Sequence, residues 1–162
     1  PDMIQKLQDE DALPTQLYLS TNAADYESFI KINKPKYDDS WERWNRTLDM
    51  LKDLDTRTVL RITLIRDYND QKEMIPAFAD MFRKASPHFI EIKSYMHIGR
   101  STNRLEHENM LEMHEVKKFS EEIAKQSKIF SIMDESLVSR ISILQNNERF
   151  IDRYIPTYVN TN

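Results

Sequence analysis

The segment Phe89-Ile90-Glu91-Ile92-Lys93-Ser94-Tyr95-Met96-His97-Ile98-Gly99-Arg100 decides how the rest of the chain is read. It begins as an alternating strand. Successive strand side chains point to opposite faces, which sets Ile90 and Ile92 on one side and Glu91, Lys93 and Tyr95 on the other. Opposite charges on a strand's second face are ordinary where that face is wet. Here the neighbouring strand-like segments alternate with helix-like ones, the pattern of a mostly parallel sheet covered by helices on its outer face. The other face then looks into a lumen or cleft, where a charged pair is costly unless it has a use. The strand runs into the only glycine of the sequence, Gly99, flanked by His97, Arg100 and Arg104. The stretch reads as the floor and rim of a site.

Working upstream, Val59 to Ile65 is a second strand, with Leu60, Ile62 and Leu64 on one face and Arg61 and Thr63 on the other. Gln16 to Ser20 is a shorter one, with Leu17 and Leu19 toward helices and Gln16, Tyr18 and Ser20 opposite; it exits into Thr21-Asn22-Ala23. Residues 1–11 and about 24–32 read as helical pieces. Asp39 and Glu42 have capping-box spacing and open a helix carrying Trp41, Trp44, Leu48 and Leu51. Asn69 or Asp70 can cap a helix through Met74, Phe78, Met81 and Phe82 that ends near Ser86-Pro87. Downstream lie a loop to about Met113, a helix over 114–126, and strands over 129–133 and 138–144 joined by Asp134-Glu135-Ser136. A tail from Asn146, with Tyr154, Pro156 and Tyr158, is expected to wrap a neighbour or be partly disordered. Three successive strand–helix units predict an α/β fold with a parallel sheet, open or barrel-derived. Such sheets collect function at the carboxyl ends of their strands. There this chain places Ser20 with Asn22, Arg61 with Thr63, and Glu91 with Lys93 and Tyr95.

The bulk numbers fit one domain: 162 residues, 40% hydrophobic and 31% charged. No apolar run approaches membrane-spanning length, and the amino terminus has no export-signal pattern, so a cytoplasmic protein is expected. The first residue is Pro1, which suggests a chain that starts downstream of its gene's start. With a net charge of −4, any nucleic-acid contact must come from a local basic rim. The absence of cysteine excludes disulfides, thiol nucleophiles and cysteine-ligated zinc or iron–sulfur sites within these residues. With one glycine, turns needing positive φ are expected on Asn22, Asn33, Asn69, Asn103, Asn146 and Asn147, and a Gly-rich phosphate loop is ruled out.

Lys93 reads either as an amine in a partly desolvated pocket, able to form a Schiff base or hold a carboxylate, or as half of an ion pair with Glu91. Arg61 can grip a carboxylate or phosphate through both arms of its fork, or pair with Glu91 next door. The four histidines show no metal-ligand spacing, and no metal site is expected from this chain. Arg100, Asn103, Arg104 and His107 can track a nucleic-acid backbone or simply be solvated. Trp41 and Trp44 read as core packing rather than a base-stacking platform.

Several motifs together are recognisable. Leu13-Pro14-Thr15-Gln16-Leu17-Tyr18-Leu19-Ser20, Trp41-Glu42-Arg43, Arg57 through Leu64, and Phe89 through Met96 followed by Gly99, Ser101, Arg104 and Leu105 resemble the wyosine-synthesis radical S-adenosylmethionine enzymes. These are the archaeal-type tRNA 4-demethylwyosine synthases. Asn109-Met110, His114-Glu115 and Asp134-Glu135-Ser136 with Ser139-Arg140 continue the likeness, which covers roughly residues 1–145. The resemblance implies the carboxyl-terminal half of a radical-SAM (β/α) barrel: residues 1–96 as βα units, 97–145 as a segment facing substrate and tRNA, and 146–162 as a tail. It implies a tRNA-modifying lyase that condenses N1-methylguanosine of tRNA-Phe with pyruvate. S-adenosylmethionine and 4Fe–4S clusters serve that reaction, and the cluster cysteines lie in the family's amino-terminal half. The chain alone is then expected to be inactive, with the missing half as its partner and an open sheet edge favouring self-association. A cluster-less tRNA-binding or protein-interaction module is the alternative. By the same resemblance Ser20, Asn22, Arg61 and Thr63 contact the cofactor; Lys93, Glu91 and Tyr95 line the substrate pocket; and Arg100, Ser101 and Arg104 meet the tRNA. Two positions depart from the family pattern: Arg66-Asp67 where Lys-Gly is usual, and Ala24 where Pro is usual.

Overall fold

The computed structural model describes residues 1–155. Three strands, β1 (Gln16–Ser20), β2 (Arg57–Leu64) and β3 (Phe89–Ser94), lie side by side and parallel. Their register aligns Ser20 with Arg61, Arg61 with Glu91, and Thr63 with Lys93. The sheet is not parallel throughout. β5 (Ile141–Asn146) pairs antiparallel with β3, and β4 (Phe130–Ser136) pairs antiparallel with β5, giving the order β1-β2-β3-β5-β4. The architecture is therefore a mixed five-stranded α/β sheet.

The helices are α1 (Asp2–Asp9), α2 (Tyr26–Asn33), α3 (Ser40–Met50), α4 (Ile75–Ala85) and α5 (Met113–Ser127). Leu60, Ile62, Leu64, Ile90, Ile92 and Leu144 form the fully buried floor on which Leu48, Phe78, Phe82, Val116, Phe119 and Ile123 pack. This single cluster draws residues from both sides of position 97. Trp41 and Trp44 stack at 5.3 Å and meet Phe29 edge-on or tilted, as a packing cluster under α2. Among the described residues no helix is long and apolar enough to cross a membrane.

Several local expectations change. Asp39 precedes α3 but makes no capping bond; its backbone (φ −87, ψ 12) is near-helical rather than extended, and its carboxylate lies 3.8 Å from Arg43 instead. Neither Asn69 nor Asp70 caps α4, which opens through a short 3₁₀ turn, Lys72–Met74. Strand β4 runs through Asp134, Glu135 and Ser136, and the chain turns after them, over residues 137–140. The left-handed positions besides Gly99 are Asp11, Lys34, Asp67, Ser86, Lys128 and Arg140, and none of the six asparagines. Lys34, Ser86 and Lys128 close α2, α4 and α5, each returning its N–H to a helical carbonyl. The asparagines work through their amides, which both donate and accept. Asn69 accepts from the Ile65 N–H and donates to the Asn22 and Thr63 carbonyls, fully buried. Of the expected tail, Pro156 and Tyr158 lie outside the described residues; what precedes them folds back on the sheet.

Candidate functional site

The sheet face turned away from the helices carries the charged residues. At its centre the Arg61 fork grips Glu91 from the adjacent strand, Nε to Oε1 at 2.7 Å and Nη2 to Oε2 at 3.1 Å. The carboxylate is nearly buried, its side chain 8% exposed, while the guanidinium is 39% exposed. Arg61 also lies over the Tyr18 ring at 4.4 Å. Burial, and then the Glu91 carboxylate, pushes the Tyr18 phenol above its ordinary range. Donating to the Glu91 carboxylate holds the Arg61 guanidinium more firmly charged. Three parallel strands thus converge on a cation–carboxylate–phenol cluster, which follows from Tyr18, Arg61 and Glu91 all occupying the helix-free face.

Lys93 stands one pleat further toward the carboxyl end, beside Thr63 and Ile141. It is half-buried, and among the described residues no carboxylate pairs with it. Of the two readings of Glu91, the partner is Arg61. Tyr95, the next residue in the alternation after Lys93, is 5% exposed, and its hydroxyl meets His97 Nδ1 at 3.1 Å. At the strand ends Asn22 Oδ1 accepts from the Thr63 N–H at 2.9 Å, tying the loop after β1 to β2. Ser20 is exposed and Thr63 half-buried.

The rim loop forms a 3₁₀ turn, Gly99–Asn103, in which Ser101 donates to the Ile98 carbonyl; Arg100 and Arg104 are exposed. A second feature of the mouth was not selected from sequence. Arg66 makes a fork with Glu115 (2.7 and 2.6 Å) and donates to the Glu108 and Met110 carbonyls, fastening the loop before α5 to the end of β2. That hydrogen bonding holds the Glu115 carboxyl below the usual carboxylate range. At the opposite end, buried Arg57 donates to the carbonyls of Asp152, Arg153 and Tyr154. The tail thereby crosses the amino ends of the strands over a cavity of about 110 Å³ lined by Tyr18, Val59, Phe89 and Ile143. Alternation could have flagged Tyr18, which shares a face with Ser20; pairs 49 and 96 residues apart, such as Arg66–Glu115 and Arg57–Arg153, have no sequence signature.

The chain has no cysteine, and among the described residues no three His, Asp or Glu side chains are grouped to hold a metal ion. The residues present do not fit an iron–sulfur cluster.

Residues 84–146 match the family model described as wyosine base formation. The chain is 41% identical over 153 residues to an S-adenosyl-L-methionine-dependent tRNA 4-demethylwyosine synthase of Methanocaldococcus jannaschii, covering 93% of this chain and 45% of that protein. The enzyme of the same description from Pyrococcus abyssi is 37% identical over 148 residues, 91% of this chain and 43% of that one. Among solved structures, TYW1 with a lysine–pyruvate adduct bound superposes with a TM-score of 0.78 at 40% identity, covering 88% of this chain and 44% of that chain. An archaeal TYW1 crystal structure gives 0.70 at 36% identity, over 90% and 45%. The chain spans less than half the length of the relatives it matches. Over that span the chain matches part of the tRNA 4-demethylwyosine synthases and carries their wyosine base formation segment at residues 84–146.

Proposed function

We propose that this chain is the carboxyl-terminal part of a radical-SAM barrel, and that its helix-free sheet face forms one wall of a lumen. There N1-methylguanosine of tRNA-Phe condenses with pyruvate to give 4-demethylwyosine. The observation that carries this reading is Lys93, a half-buried ammonium without a carboxylate partner among the described residues, one pleat from the Arg61–Glu91 clamp. The likeness of the chain to a TYW1 structure with a lysine–pyruvate adduct bound supports pyruvate as the partner of a lysine in this reading.

In this reading Lys93 holds the carboxylate or carbonyl of pyruvate, and Glu91 keeps the neighbouring guanidinium in place. Tyr95 acts through His97, which its hydroxyl meets. Ser20, Asn22, Thr63 and the free edge of Arg61 offer hydroxyl, amide and cationic groups suited to the polar ends of S-adenosylmethionine, which when bound supplies the radical. Cluster thiolates must come from residues outside this chain, which acts with the amino-terminal half as its partner. Arg100, Ser101 and Arg104 face the tRNA, a substrate that places the reaction in the cytoplasm.

The test joins this chain to the amino-terminal half of an archaeal relative and measures product on methylguanosine-bearing tRNA. Lys93→Ala should lower turnover about ten- to a hundredfold, most strongly at low pyruvate, as loss of one charge-assisted contact predicts. Undiminished turnover at low pyruvate removes Lys93 and leaves the role to a lysine outside this chain. A second reading, a cluster-less RNA-binding or interaction module, is favoured by the open edges of β1 and β4. Iron content and absorbance of the natively expressed gene product separate the two.

A further inference from the structure

Three segments that follow the carboxyl ends of β1, β2 and β3 meet in a small pocket of about 110 Å³. Lys31, Ile32 and Lys34 come from the end of α2, Ile65 and Tyr68 from the turn after β2, and Arg104 and Leu105 from the rim loop after β3. No acidic side chain lines it. Among the described residues none of its three cations pairs with a carboxylate, although the chain carries more acids than bases overall. Lys31 Nζ sits 5.0 Å from the centre of the Tyr68 ring. Lysines at the end of a helix are common for the helix's own sake. That does not account for an arginine from a distant loop facing them across an apolar floor.

We propose that this pocket seats backbone phosphates of a structured RNA, with Lys31, Lys34 and Arg104 as the phosphate contacts and Tyr68 as the positioning residue that holds Lys31 in place. The inference rests on the RNA-substrate reading above and extends it to residues on β1 and β2 loops. Three cations from two distant segments, the end of α2 and the rim loop, unneutralised and at the same sheet end as the substrate face, suit a polyanion that passes over the mouth. Ile32, Ile65 and Leu105 strengthen the attraction by keeping one side of the pocket dry.

The test is fluorescence anisotropy of the whole chain with a labelled anticodon stem–loop RNA of tRNA-Phe, titrated across salt. Such binding needs neither cluster nor cofactor. Lys31→Gln, Lys34→Asn and Arg104→Gln should each weaken binding about fourfold at about 0.15 M salt, and together reduce the salt slope by about 2. Asparagine is chosen at 34 because that residue has φ +46. Tyr68→Phe should keep wild-type affinity, since the ring face remains, whereas Tyr68→Leu should match Lys31→Gln. Lys125→Gln, in the last turn of α5 at the other end of the molecule, should change nothing. Thermal melts confirm that each variant is folded. Equal affinity and slope in the triple variant overturn the proposal, as does a wild-type chain that fails to bind RNA at low salt. Loss of inorganic phosphate binding with RNA affinity unchanged assigns the pocket to free phosphate and overturns it too. Phosphate contacts carry no sequence information, so the triple variant should lose affinity for all stem–loops alike; if the wild-type chain itself binds the tRNA-Phe stem–loop no more tightly than unrelated ones, the pocket stands and the substrate reading fails.

Discussion

Ser142 is fully buried on the helix-covered face of β5, and its hydroxyl is the one buried side-chain polar atom among the described residues without a hydrogen-bond partner. Burying such a group unpaired is unfavourable, so Ser142→Ala should raise stability by about 1 kcal/mol in urea denaturation. His88 shows the opposite state. Its Nδ1 accepts from the Thr58 N–H at 3.1 Å and faces the Thr58 hydroxyl at 3.0 Å, so the proton resides on Nε2. Burial, with Arg149 and Arg57 nearby, lowers its pKa from 6.5 to about 4. A depressed histidine binds fewer protons folded than unfolded. Its contribution is therefore complete above pH 6.5 and is lost as pH falls through about 4. Denaturation midpoints should drop across that window, and the drop should be shallower in His88→Gln. For the central pair, Arg61→Met strands a nearly buried carboxylate and should cost about 2 kcal/mol, reduced from a fully buried case because the guanidinium is partly solvated. The side-chain alternation of Arg61 and Glu91 was legible from the sequence. Their partnership depended on strand register, which alternation alone does not fix.

Strand β4 shows how an element escapes its sequence. Asp-Glu-Ser looks like a turn, yet a bulge between Ile132 and Asp134 shifts the alternation and lets the strand continue. Asp134 then faces Arg153, and Glu135 faces Lys117 of α5. Polar residues there have partners in distant segments as well as water, which composition cannot reveal. The three parallel strands were legible because their apolar faces alternate cleanly with charged ones. The glycine shortage misled in a different way, since helix C-caps accepted lysine and serine at positive φ. Asp67 has φ +68, and its N–H is held by the Asp70 carboxylate at 2.8 Å. Asp67→Gly should be neutral to stabilising by less than about 1 kcal/mol, whereas Asp67→Val should destabilise by about 1–2 kcal/mol. Comparing the two thermal melts reads out the backbone effect alone.

Over the molecule as a whole, the sheet is protected unevenly. Among the described residues one side is packed by α3, α4 and α5, and the other is crossed by the tail held on Arg57. Arg57→Leu should free that tail while leaving the helix-side core intact. Limited proteolysis should then cut within 148–155 much faster than in the wild type, with an unchanged far-ultraviolet circular dichroism spectrum. The Arg61 fork has a consequence for assembly. Its guanidinium is 39% exposed, so the outer edge is open to solvent, where the effective permittivity is high. Any body that closes over this side of the sheet would expel that water, and the same attraction would deepen severalfold as permittivity falls toward about 20. A cap on this surface would thus meet a pre-formed ionic lock that tightens on closure.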